Sequence, residues 1–391
     1  MGSVQLSKNQ GVQVMRALLF MLVFFFHALG DLFRFNPKVV IFPMYVSGIG
    51  VTPFFVISGF LLMARQKMEE EKLSLKACLY SMIKSVARLY PLHILTTLVI
   101  FFIWAARYWH GGVLAERVKD NLLVPLFFHA LLIQSWFSTD IVMKLNGPTW
   151  YLSTAAFLYF TFPVVKKLIQ AFDGKKVFVL ALAVLAFRFL LELVTRAAFA
   201  QHDFHEVFPL FRVADFWIGC IAGNFYRENK EKLSLSNFKS FALQIAAALV
   251  CVALSFIDLK KLSFWPCVFF ASNNVNLVLS AIWVYFFVEG KGLIRFATFK
   301  PLVVIGNLSG AAYVIHGMVM AMQNLAHSFF NLKYEEWSLP ALYGVALAEF
   351  IATLVLSILW IEFSKKIFNK RNAPASSGTV SESAPDQGPQ R

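Results

Sequence analysis

Two ionisable residues, Arg16 and His27, stand at the ends of an apolar stretch that reads RALLFMLVFFFH. They are eleven positions apart, which on an α-helix is close to three turns and about 16 Å of rise. Both side chains therefore project from nearly the same helix face, at different depths. An imidazole can accept a proton near neutral pH, and a guanidinium forms paired hydrogen bonds with phosphate. We interpret the two residues either as a base and an anion-binding group on one helix, or as a histidine hydrogen-bonded inside a helix bundle and an arginine at the membrane interface.

A second set of polar residues lies within later apolar segments. Arg212 and Asp215 are three positions apart, a spacing that lets them pair on one helix face. Tyr313 and His316 lie close together in another segment, with Ser309 one turn before Tyr313. Charged groups inside a bilayer are costly unless they are paired or face water. These residues are interpreted either as substrate contacts or as a buried salt bridge and hydrogen bonds between helices.

The elements that must position these residues are apolar helices. A helix needs about 17–25 apolar residues to cross a bilayer core of about 30 Å, and ten segments have that length. The chain is therefore predicted to be an all-α polytopic membrane protein of about ten transmembrane helices. The segments lie roughly at residues 11–30, 46–64, 89–106, 148–165, 177–198, 208–226, 240–257, 266–288, 301–323 and 340–363.

A further apolar run at 122–138 is either an eleventh crossing or a partial, re-entrant helix. Loop charge decides between the two. With ten crossings and an internal N-terminus, the inward loops carry 22 Lys and Arg residues and the outward loops carry nine. Positive residues concentrate in cytoplasmic loops, whereas an eleventh crossing would place several basic loops outside. We therefore predict a partial helix at 122–138, with both termini in the cytoplasm.

Composition supports this class and excludes others. Hydrophobic residues make up 58% of the 391 positions, against roughly 45–50% in soluble domains. The net charge is +14. No basic stretch of the sequence is interleaved with aromatic residues, however, so nucleic-acid binding is not expected. The four cysteines lie in or beside apolar segments, and no pattern of metal ligands is present, so neither disulfides nor a metal is predicted. Residues 1–371 form one predicted membrane domain, and the Pro-, Ser- and Gly-rich tail at 372–391 is predicted to be disordered.

Several short motifs follow one another in a recognisable order. After the Arg16–His27 segment come GIGVTPFFVISGFLL, ARLYPLH, NGPTWYLSTAAFLYFTFPVV, FRVADFWIGCIAG and IGNLSGAAYVIH. Taken together, these motifs resemble those of the acyltransferase-3 family of integral membrane O-acyltransferases, over roughly residues 10 to 365. One departure is clear, because Ala155 and Ala156 stand where that family has two glutamates in its fourth helix.

The resemblance implies a function and roles for particular residues. It implies transfer of an acyl group, most simply acetyl, from cytoplasmic acyl-CoA to a hydroxyl of a carbohydrate. His27 would be the general base or the acyl carrier. Arg16 would contact the coenzyme, with Arg88 and Lys84 as further phosphate contacts.

The resemblance also implies an acceptor and a location. Asn146, Trp150 and Ser153 would shape the acceptor's entrance, and Tyr313, His316, Arg212 and Asp215 would contribute substrate contacts. Family acceptors are O-antigen, capsule, exopolysaccharide or a lipid-linked sugar, which implies the bacterial inner membrane. The alternative is a transporter or flippase for lipid-linked sugars, which would use the same polar cavity without covalent chemistry.

Overall fold

The computed structural model describes residues 8–39, 47–66, 72–137, 139–172, 174, 176–198, 207–231, 235–256, 274–289, 291–292 and 299–371. These residues are almost entirely helical, and no strand occurs among them. The predicted disordered tail, 372–391, lies outside the described residues. The α-helices in the described ranges are α1 Lys8–Phe35, α2 Ser47–Ala64, α3 Leu75–Val86, α4 Tyr90–His110, α5 Leu114–Val118, α6 Val124–Ala130, α7 Thr139–Met143, α8 Trp150–Ala171, α9 Lys176–Ala198, α10 Pro209–Asn229, α11 Asn237–Phe256, α12 Asn274–Glu289, α13 Lys300–Phe329 and α14 Leu339–Arg371.

The described residues include six helices that are long and apolar enough to cross a membrane. They belong to α1, α4, α8, α9, α13 and α14. The other four predicted crossings overlap α2, α10, α11 and α12. In the described residues, none of these four helices combines the length and the hydropathy that a membrane crossing needs. The helical membrane architecture is therefore supported, and the count of ten crossings stays a prediction.

The run at 122–138 is broken into short pieces. A π-helical turn at Lys119–Leu123 precedes α6, and a 3-10 turn follows at Gln134–Trp136. Between the last two, Leu132 has a positive φ of 55°, which ends the helix. A seven-residue helix is about 10 Å long, far less than a bilayer core of about 30 Å. The described part of this run has no piece that could cross a membrane by itself.

Side-chain hydrogen bonds fasten this broken segment to its neighbours. The Tyr90 hydroxyl donates to the Ala130 carbonyl at 2.7 Å, and the Ser153 hydroxyl donates to the Leu132 carbonyl at 2.7 Å. The Gln134 amide donates to the Thr149 carbonyl at 3.1 Å. Buried backbone groups outside regular helices need such partners, so the segment is held against α4 and α8.

Glycines allow two helices to meet backbone to backbone. A Cβ atom at Gly59 would overlap the carbonyl oxygen of Phe216, and one at Gly219 would overlap that of Val56. These contacts join α2 to α10, which form the most extensive helix pair in the described chain. Small residues at a helix interface permit this close approach within membranes. The pair is a rigid support for the polar residues of α10.

Candidate active site

One cavity in the described part of the chain lies where α1 begins and α14 ends, which we call the terminal side. Its volume is about 260 Å³. It is bordered by α1, α2, α3, α8, α13 and α14, so distant parts of the sequence meet there. Its polar lining residues are Arg16, Ser58, Ser85, Arg88, Thr149, Tyr151, Tyr159, Asn307, Ser309, Tyr313 and Ser364, with Trp360 at its edge.

The second cavity lies at the opposite end of α1, which we call the far side. Its volume is about 300 Å³. Beside apolar side chains, polar and aromatic side chains from α1, α4, α8 and α13 form part of its wall. They are His27, Asp31, Arg34, Trp104, Arg107, Trp150 and Asn324.

Along α1 and α13, a layer of buried side chains lies between the two cavities, which have no lining residue in common. On α13, Tyr313 faces the terminal-side cavity and Gly317 faces the far-side cavity. His316 lies between them and is fully buried. Its ring centroid is 5.4 Å from that of His27 and 6.3 Å from that of Phe20. The layer is thus mostly aromatic.

Arg16 and His27 both line cavities inside the bundle, but not the same one. Arg16 lines the terminal-side cavity and His27 lines the far-side cavity. Their separation of about three helical turns places the buried layer between them. The sequence predicted both side chains on one helix, and in the structure they line two different cavities.

Of the further predicted coenzyme contacts, one lines the same cavity as Arg16 and one does not. Arg88 lines the terminal-side cavity together with Arg16. Lys84 does not line it, because its side chain is exposed and lies 5.5 Å from the ring centroid of Tyr80. Tyr313, predicted as an acceptor contact, lines the same terminal-side cavity.

Of the residues predicted at the acceptor's entrance, one lines the far-side cavity and two line neither cavity. Trp150 lines the far-side cavity. Asn146 is fully buried, and its amide donates to Thr96 Oγ1 at 2.9 Å and to the Val314 carbonyl at 3.0 Å. Ser153 is fully buried beside the broken segment described above. Neither Asn146 nor Ser153 lines either of these cavities, so their contact with an acceptor stays a prediction.

Arg212 and Asp215 form the pair that their spacing indicates, within a larger buried cluster. Arg212 Nη1 lies 3.0 Å from Asp215 Oδ2, and Arg188 forms a second ion pair with Asp215. Arg188 also lies 3.5 Å from Glu192. Arg212 Nη1 donates to Thr52 Oγ1 at 3.0 Å as well. The sequence analysis missed Arg188 and Glu192, although their spacing within an apolar helix was a visible signal.

Asp31 and Asn324 are far-side residues that the sequence analysis did not single out. The Asn324 amide donates to Asp31 Oδ2 at 3.3 Å, and Arg34 lies 3.5 Å from Asp31 Oδ1. Asp31 is one helical turn after His27, which was the available signal. Within the described ranges, no group of three or more His, Cys, Asp or Glu residues is arranged to hold a metal ion.

The fold and the cavities define a helical membrane protein with two polar cavities, one bearing Arg16 and Arg88 and the other bearing His27 together with Arg34 and Arg107. Residues 9–361 match the acyltransferase-3 family model, which is described as an acyltransferase domain. The chain belongs to this family. It is also similar to the acyltransferase MdmB of Streptomyces mycarofaciens, with 28% identity over 179 residues. That match covers 45% of this chain and 42% of the relative's length. No solved structure matches the chain.

Proposed function

We propose that the protein transfers an acetyl group from acyl-CoA to a hydroxyl of a carbohydrate in the bacterial inner membrane. Family membership supports acyl transfer by an enzyme. The observation that carries the rest is the division of Arg16 and His27 between two cavities on opposite sides of a buried layer. Both cavities carry guanidinium groups, but of the two only the far-side cavity is also lined by an imidazole. We therefore assign the anionic donor to the terminal-side cavity and the acceptor, which needs a base, to the far-side cavity.

The donor chamber is the terminal-side cavity. Arg16 and Arg88 both line it, and guanidinium groups bind phosphate oxygens with two hydrogen bonds at once. Acyl-CoA carries its phosphates at one end and its thioester at the other. A cavity of about 260 Å³ cannot hold the whole coenzyme, so the nucleotide end would project outward. The limited room favours a short acyl chain such as acetyl. With both termini in the cytoplasm, this chamber would face acyl-CoA.

The acceptor chamber is the far-side cavity. Trp104 and Trp150 supply indole rings, and Asp31 and Asn324 supply hydrogen-bonding groups. Aromatic faces and amide or carboxylate oxygens suit the apolar faces and hydroxyls of a sugar. O-antigen, capsule, exopolysaccharide and lipid-linked sugars all present such hydroxyls.

The chemical step follows from His27. Its imidazole takes the proton of the acceptor hydroxyl while the oxygen attacks the thioester carbonyl carbon. The new C–O bond forms, the C–S bond breaks, and the proton passes to the departing thiolate. Because the buried layer separates the cavities in this structure, the layer must part for the thioester to reach His27. A layer that opens only for a bound donor would also keep water from the thioester.

The test uses the full chain purified into lipid nanodiscs, with isotopically labelled acetyl-CoA and surface glycans as acceptors. We expect label on the glycan with the wild type, and loss of transfer in His27→Gln while the variant remains folded. The matched control is His110→Gln, because His110 is an exposed histidine at the end of α4 and should not affect transfer.

Absence of acetyl transfer together with sugar transport would favour the alternative function, a transporter. If the wild type labels no glycan, and unmodified lipid-linked sugar crosses proteoliposomes instead, the proposed reaction is wrong. A donor series of acetyl-, propionyl- and palmitoyl-CoA would test the expected preference for the short chain.

A further inference from the structure

His316 has one ring nitrogen fixed by the backbone. Its Nδ1 lies 2.7 Å from the carbonyl oxygen of Tyr313. A carbonyl oxygen can only accept a hydrogen bond, so Nδ1 carries the proton and Nε2 has a free lone pair. Nε2 is buried and has no hydrogen-bond partner in the described part of the chain. An unsatisfied acceptor in so buried a position is costly, which calls for a donor that this conformation does not yet supply.

The imidazole of His27 is a neighbour that can supply this donor. Its ring centroid is 5.4 Å from that of His316, with the planes inclined by 39°. The Tyr313 ring lies as close, at 5.3 Å, but Tyr313 lines the terminal-side cavity, whereas His27 lines the cavity of the acceptor. Phe20 and Phe24 also pack around His316, but their rings offer no hydrogen-bonding atom. At this separation, a rotation of the His27 ring or one bridging water would bring an N–H to the bare nitrogen.

We infer that His316 is a positioning residue that orients His27 for proton abstraction. Its bare Nε2 accepts the N–H of His27, so the second nitrogen of His27 is unprotonated and faces the far-side cavity. This inference rests on the proposed function. A catalytic base is commonly oriented by a third group in this way, and here the third group is a neutral imidazole.

The surroundings explain why the orienting group is neutral. His316 is fully buried within the aromatic layer, where an isolated carboxylate would be expensive. Asp31 is the competing candidate, since it lies one turn from His27 and lines the same cavity. Asp31 already accepts from Asn324 and pairs with Arg34, whereas His316 Nε2 is unoccupied.

The proton balance of the reaction is unchanged by this arrangement. The acceptor hydroxyl gives its proton to the free nitrogen of His27, and the resulting imidazolium keeps its other N–H on His316. The imidazolium then gives a proton to the departing thiolate as the C–S bond breaks. His316 neither gains nor loses a proton over the cycle, so it acts only through His27.

Three substitutions at His316 separate orientation from simple packing. Glutamine places an amide oxygen near the position of Nε2, whereas asparagine reaches only as far as Nδ1 and phenylalanine provides no acceptor. We expect kcat to fall about 100-fold in His316→Phe and His316→Asn, with KM for acetyl-CoA and for the glycan within about twofold. We expect His316→Gln to recover at least about tenfold of that loss, because the base is oriented again.

His327→Phe is the matched control, because His327 lies on the same helix and also has a buried, unpartnered Nε2 among the described residues. Its ring packs against Phe35 at 4.2 Å and Tyr334 at 4.6 Å, remote from His27. We expect wild-type kcat in this variant.

Several results would overturn the inference without touching the proposed function. One is wild-type kcat in a folded His316→Phe protein that still depends on His27. Another is equal activity of the Gln and Asn variants, which would indicate packing alone. If no His316 variant folds, nitrogen-15 NMR of histidine-labelled wild type decides, since a proton on His316 Nε2 would refute the proposed tautomer. A wild type that transfers no acetyl would instead reject the proposed function.

Discussion

Gly306 of α13 lies directly against the backbone of α1, so that a Cβ atom added at Gly306 would overlap the carbonyl oxygen of Gln13. Gly306 also lines the terminal-side cavity, and Gln13 is one turn before Arg16. The close crossing therefore fixes where Arg16 enters that cavity. Backbone contact of this kind leaves no side chain free to move aside.

Substituting Gly306 by valine should separate α1 from α13. We expect a loss of about 1–3 kcal/mol or more from overpacking, seen as a lower midpoint of thermal unfolding in detergent. Gly344→Ala is the control, because nothing lies within 4 Å of a Cβ there. It should be neutral or stabilising by about 0.5–1 kcal/mol. Equal midpoints for the two variants would contradict the described crossing.

Removing one guanidinium from the donor chamber should weaken coenzyme binding. Arg88→Gln takes away a charged hydrogen bond that is worth about 1.5–3 kcal/mol, so KM for acetyl-CoA should rise about tenfold or more. Steady-state kinetics at several acetyl-CoA concentrations would measure it. Lys365→Gln, an exposed residue 2.8 Å from Glu362 on the terminal side, should leave KM unchanged. A rise confined to KM for the glycan would place Arg88 with the acceptor instead.

The stability of the protein should depend on Asp215, the central carboxylate of the charge cluster formed by α9 and α10. Asp215 is fully buried and pairs with both Arg188 and Arg212. Asp215→Asn would bury two guanidinium groups with less compensation, and breaking a buried pair costs about 3–5 kcal/mol. We expect a strongly lowered unfolding midpoint or loss of the folded protein. Glu336→Gln, from an exposed pair with Lys333, should have almost no effect, and a similar result for both variants would argue against the cluster.

Glu349 presents the opposite case, a buried carboxylate that is expected to reduce stability. Its Oε2 is buried and has no hydrogen-bond partner within the described ranges. Glutamine keeps the shape and removes the cost of burying a charge, so Glu349→Gln should raise the thermal unfolding midpoint. Glu335→Gln, at an exposed position, should leave the midpoint unchanged. A lower midpoint for Glu349→Gln would indicate that its carboxylate makes a stabilising contact.

The helices could be predicted because the length of an apolar segment depends only on consecutive residues of the sequence. All ten predicted segments overlap observed helices, and the broken run at 122–138 was separated from them by loop charge. Hydropathy does not report how a short apolar run bends. The carbonyls of Ala130 and the left-handed Leu132 accept hydrogen bonds from Tyr90 and Ser153, which come from other parts of the chain.

The site was predicted less completely than the fold. Helical periodicity indicated a shared face for Arg16 and His27, but no local pattern indicates that the layer around His316 divides that face. Asn146 and Ser153 were predicted as acceptor contacts from their position at the outer end of the fourth predicted crossing, and that role stays a prediction. Their hydrogen bonds to the carbonyls of Val314 and Leu132 could not be predicted from the sequence. Asp31 meets Asn324 across 293 positions of sequence. Such pairings are set by tertiary packing and have no signal in spacing.

The aromatic layer has a consequence for the cell that contains this protein. The rings of Phe20, Phe24 and His316 are buried and pack together, and the terminal-side and far-side cavities share no lining residue in the described part of the chain. Under the proposed function, this packing would keep protons and small ions from following the acyl group across the membrane. Acyl transfer could then proceed without loss of the electrochemical gradient across that membrane.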